Sequence, residues 1–216
     1  MRHYFDYDSK LIRTLNKISD LMILNVLTIL CSLPIVTMGA AVTALYDAIW
    51  RIQQYEEIKT VRTFFDAFKA NFKKATLLWL IYLPIGVLAI WNLNTTIAAD
   101  NSLPATVLSI FAAMWWVCGV AWVFPLQSRF ENTVWNTFKN SLMAPLGYFP
   151  KTLAMGFLNV LPWVLALAND TNSVVYFTMG GLIWLLIYFA LAAHLNLKLL
   201  DKAFDRFFAQ AEQTEE

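Results

Sequence analysis

Two histidines, two cysteines and fifteen carboxylates are the side chains of this 216-residue chain best suited to chemistry. His3 lies in a polar N-terminal stretch, and His194 lies in "LAAHLNLK" at the end of a long apolar run. A histidine acting as base or metal ligand needs converging partners, and neither has any at motif spacing. Cys31 and Cys118 stand inside apolar runs and read as packing residues. There is no H-E-x-x-H, G-x-S-x-G, Walker or G-x-G-x-x-G pattern, and no cysteine pair at metal-ligand spacing. The expectation is a chain without catalytic, cofactor-binding or metal-binding residues, and not an enzyme.

The charged residues that lie close together read as structural. Lys17 precedes Asp20 by three positions and Arg51 follows Asp47 by four, spacings that bring opposite charges together on a helix. Both acids lie near the ends of apolar arms, where interfacial ion pairs are the natural reading. A sharper reading, an acidic pair lining a proton or cation path, wants the acids near a membrane midplane, which these are not. Arg129 and Glu131 in "SRFEN" stand two apart, on different sides of a helix, so no direct pair is expected between them.

The elements that must hold these residues are membrane helices. Of the chain 59% is hydrophobic and only 14% charged, with nine Trp and sixteen Phe, more apolar surface than a soluble domain of this size covers. A net charge of +1 without a basic stripe gives no sign of nucleic-acid binding. The first seventeen residues are polar and lack the pattern of a cleaved signal peptide. Ala75 to Trp91, Ala105 to Phe124, Thr152 to Ala168 and Val174 to Leu197 are apolar runs whose helical length, roughly 25–36 Å, matches a hydrocarbon core. The expected fold is an all-α polytopic transmembrane bundle forming a single domain over 1–216.

All sixteen Lys and Arg fall in four segments: the N-terminus to Lys17, Arg51 to Lys74, Arg129 to Lys151, and Lys198 to Arg206. The connections Asn92 to Pro104 and Asn169 to Ser173 have none. By the positive-inside bias the four basic segments, and with them both termini, are cytoplasmic. The chain between Lys17 and Arg51 must then turn back. Pro34 disfavours helix at Leu33, and Gly39 permits backbone angles that other residues resist, so "SLPIVTMG" is the expected turn. Arms of Ile18 to Leu33 and Ile35 to Trp50 would each reach only about 24 Å as helix. Two versions stay open: a short hairpin that spans, and one that re-enters from the cytoplasm.

Phe64, Phe68 and Phe72 recur at helical spacing with Lys69 and Lys73 on another face, the pattern of an interfacial amphipathic helix. Leu126, Phe130, Val134, Phe138 and Leu142 repeat it. Packing of these aromatics against the chain's own spans explains the pattern equally well. Ala40, Ala44 and Ala48, and Gly180 with Gly181, mark places for close helix approach. A Lys before a Pro-containing outgoing span occurs at Lys74 with Pro84 and at Lys151 with Pro162, which hints at repeated helical hairpins.

"CSLPIVTMGAAVTALYDAI", "FFDAFKANFKKATLLW", "FPLQSRFENTVWNTFKNSL" and "FPKTLAMGFLNVLP", in this order, resemble the YesL family of bacterial integral membrane proteins, a domain of unknown function, over about Asn16 to Asp205. The resemblance implies a bacterial cell-membrane location and, through the genes that commonly accompany the family, an accessory role in carbohydrate uptake. Sugar-transporter subunits and the lipid bilayer would be the partners, with no nucleic acid. It supplies no catalytic residues. Pro34, Thr37, Gly39, Asp47, Phe64, Phe68, Phe72, Arg129, Phe130, Glu131 and Asn132 are therefore candidates for structure or partner contact. The alternative is a small carrier or channel with a midplane site at Pro- and Gly-broken helices. Convergence of Asn25, Thr28, Thr37, Asn159 and His194 on one wet cavity would favour it.

Overall fold

A computed structural model describes residues 10–55, 59–99, 102–167 and 187–215, and these are all-α, with no strand among them. In chain order the helices are α1 (Lys10–Ser32), a 3-10 turn (Ile35–Thr37), α2 (Met38–Gln54), α3 (Thr60–Ala98), α4 (Leu103–Arg129), α5 (Val134–Gly147), α6 (Phe149–Leu167) and α7 (Phe189–Glu215). Four stretches, Thr14–Ser32, Ile35–Gln54, Thr60–Ala98 and Leu103–Arg129, are long and apolar enough to cross a membrane. His3, Gly180, Gly181, the connection 169–173 and most of the last expected span, up to residue 186, lie outside the described residues.

The turn falls where Pro34 and the residues around it require it. Helix α1 stops at Ser32, Pro34 is extended at φ −73° and ψ 112°, and the chain reverses through Ile35–Thr37. Carbonyls at a helix C-terminus lack intrahelical donors. Thr37 supplies one: its hydroxyl donates to the carbonyls of Cys31 (2.6 Å) and Pro34 (2.9 Å). The arms, at 23 and 17 residues, are longer than hydropathy alone delimits, about 34 Å and 25 Å.

Gly39 is needed for a reason other than backbone freedom. It is an ordinary helical residue of α2, and a Cβ there would lie 2.6 Å from both the Ala75 carbonyl oxygen and the Trp79 Cβ of α3. Together with fully buried Ala40, Ala44 and Ala48 it lets α2 press against its neighbours. Accordingly 56% of the apolar window of α2 is buried, against 17% for α1. Helix α2 is the centre of the bundle.

The longest element departs most from expectation. The segment bearing Phe64, Phe68 and Phe72 is the first half of one continuous 39-residue helix, α3, about 58 Å long. It is not a separate helix lying in the headgroup plane. Phe64 is fully buried in the core, Phe68 packs against that core, and only Phe72, at 38% exposure, faces outward. The second expected amphipathic run is also divided. Helix α4 continues to Arg129, the chain is extended at Phe130 (φ −121°, ψ 129°), and α5 begins after Thr133, whose hydroxyl accepts from the Asn136 amide (3.3 Å).

Contacts along α3 fix the depth of the N-terminal hairpin. Asp20 of α1 accepts a hydrogen bond from Thr60 Oγ1 (2.5 Å) at the start of α3, and the Trp79 indole donates to the Ile35 carbonyl (2.7 Å) at the hairpin tip. The hairpin therefore flanks Thr60 to Trp79. From Leu80 to Ala98, roughly 28 Å, α3 runs on past the tip with α4 beside it. Gly119 leaves room for Tyr82, Gly86 leaves room for Trp116, and Asn92 Oδ1 accepts from Ser109 Oγ (2.7 Å). Trp116 Nε1 donates to the Tyr82 carbonyl (2.8 Å) two residues before Pro84, which has no amide hydrogen of its own to give the helix.

Candidate functional site

Four charged side chains come together where α2 and α4 end beside the middle of α7. Asp47, only 7% exposed, accepts a hydrogen bond from Arg51 Nε at 3.0 Å, which is the ion pair that their i,i+4 spacing requires. Arg129, the last residue of α4, lays its guanidinium over the Trp50 ring, 3.7 Å from the centroid. It lies within electrostatic reach of both Asp47 and Asp201, the latter on α7. Asp47 is thus reached by both guanidinium groups, and Arg129 is shared between Asp47 and Asp201. The Nε of Arg129 is buried without a hydrogen-bond acceptor. A guanidinium loses less hydration than an ammonium when it stacks on an aromatic face, which suits Arg to this half-buried place.

Two of the three residues after Arg129 each reach a different helix. The Phe130 ring meets Phe204 of α7 edge-on at 5.7 Å. The Asn132 carbonyl accepts from Lys74 Nζ of α3 at 3.1 Å. Glu131 points outward and is exposed. "RFEN" is thus a knot: Arg129 holds α2, Phe130 holds α7 and Asn132 holds α3. Of the sequence candidates the structure brings together Asp47, Arg129, Phe130 and Asn132. It leaves Pro34, Thr37 and Gly39 at the hairpin tip and Phe72 on the surface of α3.

A second set of polar side chains links α7 to the N-terminal hairpin. Asn25 Oδ1 accepts from the Ala190 amide (2.9 Å), near the start of α7. Asn196 Nδ2 donates to Tyr46 Oη (3.0 Å) and lies 3.4 Å from Asn159 Oδ1, while Asn196 Oδ1 is buried with no partner. Tyr188 Oη donates to the Leu158 carbonyl. Gln53 Nε2 lies 3.0 Å from His194 Nδ1. The five polar residues whose convergence would favour a carrier do not converge: Thr28 bonds within its own helix to Leu24, Thr37 closes the turn, and Asn25, Asn159 and His194 have separate partners.

Sequence reasoning missed Trp50, Asp201, Tyr46 and Asn196. Only the aromatic three positions after Asp47, and an asparagine inside an apolar run, were there to be noticed. The junction can hold helices together and present charge. Its groups form no nucleophile and base pair, and among the described residues no cluster of three His, Cys, Asp or Glu could hold a metal.

No curated protein and no solved structure matches the chain. Residues 21–93, about a third of its length, match the model of a family described as "Protein of unknown function, DUF624", a stretch that runs from α1 through the hairpin tip and most of α3.

Proposed function

We propose that this chain is a non-enzymatic accessory protein of a bacterial cell membrane, with its termini cytoplasmic, that docks on a larger membrane assembly concerned with carbohydrate uptake. The sequence resemblance to the YesL family supplies the carbohydrate part. One observation carries the docking part. Helix α1 exposes Leu15 (53%), Ile18 (42%) and Ile23 (40%) around Asp20, which is tied to Thr60. Thr60 lies fifteen residues, about 22 Å, before Ala75, where the apolar length of α3 begins. Between them α3 exposes Arg62, Asp66, Lys69, Lys73 and Lys74. At that depth lipid chains do not cover an apolar face, so a partner's apolar surface is the fitting cover.

The same depth argument supports the re-entrant version of the hairpin. Exposed Leu33, Ile35, Val36 and Met38 at its tip dip into the lipid chains just beyond the level of Ala75, and the arms return to the cytoplasm. Backbone at the turn is held by Thr37 and Trp79 rather than left bare, as non-helical backbone in lipid requires.

Affinity purification of the tagged protein from its native membrane in mild detergent tests the proposal. Co-purification of sugar-transporter subunits, lost when Leu15, Ile18 and Ile23 are changed together to Ser, is the expected result. Recovery of the protein alone, with normal growth on every sugar in a deletion strain, would refute it. The buried, unpartnered Asn196 Oδ1 beside Asn159 and Tyr46 favours the alternative of a small carrier. Solute flux into proteoliposomes holding only this chain, abolished by Asn196→Leu, would decide for that alternative.

A further inference from the structure

Helix α3 carries an open groove of about 480 Å³ lined by Phe68, Lys69, Ala70, Phe72, Lys73 and Lys74. No carboxylate lines it. Asp66, one turn before Lys69, is turned to Arg62 at 3.6 Å, and Lys74 is held to the Asn132 carbonyl. Lys69 and Lys73, one turn apart and both exposed, are left as the cationic pair of the groove, with the Phe72 ring, 38% exposed, beside them. The next residue after Lys74 is Ala75, the first of the apolar length of α3. The groove therefore opens at the depth where lipid phosphates meet the acyl chains.

We infer that this groove is a binding site for the headgroup of an anionic phospholipid, with Lys69 and Lys73 on the phosphate and Phe72 against the upper acyl chain. The chemistry fits lipid better than a soluble phosphate for two reasons. An aromatic at the mouth offers nothing to a free oxyanion, whereas an acyl chain continues past it along the apolar length of α3. Two ammonium groups without a backbone amide nest form a shallow electrostatic trap, which suits a ligand already concentrated in the plane of the membrane. The inference goes beyond the accessory reading and does not depend on it.

The test is lipid retention by the full-length protein purified in detergent, read by native mass spectrometry with dioleoylphosphatidylglycerol or dioleoylphosphatidylcholine added. Each surface lysine contributes enough attraction that the wild type should hold phosphatidylglycerol roughly tenfold or more tightly than phosphatidylcholine. Lys69→Gln with Lys73→Gln should remove most of that preference. Lys17→Gln with Lys59→Gln removes the same charge from exposed positions outside the groove, leaves Asp66 paired with Arg62, and should change it less than about twofold. Because Lys69 and Lys73 are exposed, the double variant should keep the thermal stability of the wild type, which the same preparation checks. Equal binding of the two lipids, or equal loss in the two double variants, overturns the site. Complete displacement of phosphatidylglycerol by millimolar inorganic phosphate overturns lipid as its ligand.

Discussion

The Trp79 indole nitrogen and the Ile35 carbonyl oxygen are 2.7 Å apart, and this hydrogen bond ties the tip of the N-terminal hairpin to the second turn of the apolar length of α3. Everything in α3 after Leu80 lies beyond that tip. With Cys31 and Cys118 first replaced, a cysteine at Ser102 should react with an impermeant thiol reagent applied to intact cells. Cysteines at Thr37 and Lys69 should stay unlabelled. Labelling at both Thr37 and Ser102 would mean that the hairpin crosses the membrane.

Gly39 and Gly156 make opposite predictions. A Cβ at Gly39 meets backbone and a Trp Cβ at 2.6 Å, neither of which can swing away, so Gly39→Ala should cost about 1–3 kcal/mol through displacement of α2 from α3. Gly156, inside α6, has nothing within 4 Å of its would-be Cβ, and Gly156→Ala should be neutral or stabilise by up to about 1 kcal/mol. Unfolding in mixed micelles measures both.

Tyr46 and Asn196 should behave as a coupled pair. Tyr46→Phe removes the acceptor for Asn196 Nδ2 and should cost about 0.5–2 kcal/mol, the range of hydrogen bonds between membrane helices. Asn196→Leu removes in addition a buried oxygen that has no partner, so it should cost less than the loss of two hydrogen bonds would suggest. A double-mutant cycle showing no coupling would exclude the interaction.

Arg129→Lys should not be conservative. An ammonium cannot stack flat on Trp50 as the guanidinium does, and the substitution should destabilise by about 1–2 kcal/mol and speed proteolysis of the link between Arg129 and Val134. Asp47 keeps Arg51 in that variant, so no carboxylate is stranded. Trp50→Leu should produce much the same loss, and the two changes together little more than either. Additive losses would show that Arg129 acts through Asp201 instead.

What could be read from the residues depended on how local the cause was. The helical class and the reversal at Pro34 were legible because apolar periodicity and a missing amide hydrogen act within a few residues. Asp47 and Arg51 were legible for the same reason. The continuity of α3 was not, because Lys69 to Lys74 mark the start of an apolar run without marking the start of a helix: lysine is a good helix former, and hydropathy marks where lipid begins. The run from Leu126 to Leu142 misled in the other direction. Two helices meeting at a break both presented apolar residues in register, and the Thr133 cap that marks the break lacks a Glu or Gln at its third helical position to announce it. The places of Trp50 against Arg129, and of Asp201 near it, depend on how distant helices pack and leave no mark in spacing.

The polar links between the hairpin and α7 bear on the order in which the protein can be made. Asn25 is joined to Ala190 across 165 positions, and Tyr46 to Asn196 across 150. Helices α1 and α2 are therefore finished by one made much later, and until α7 is synthesised the buried face of α2 lacks one of its walls. A nascent chain stalled before Ala190 would carry a complete N-terminal hairpin with nothing to close it. It would be kept by chaperones or handed to membrane proteases, so damage at the C-terminal end should be felt first at the N-terminal one.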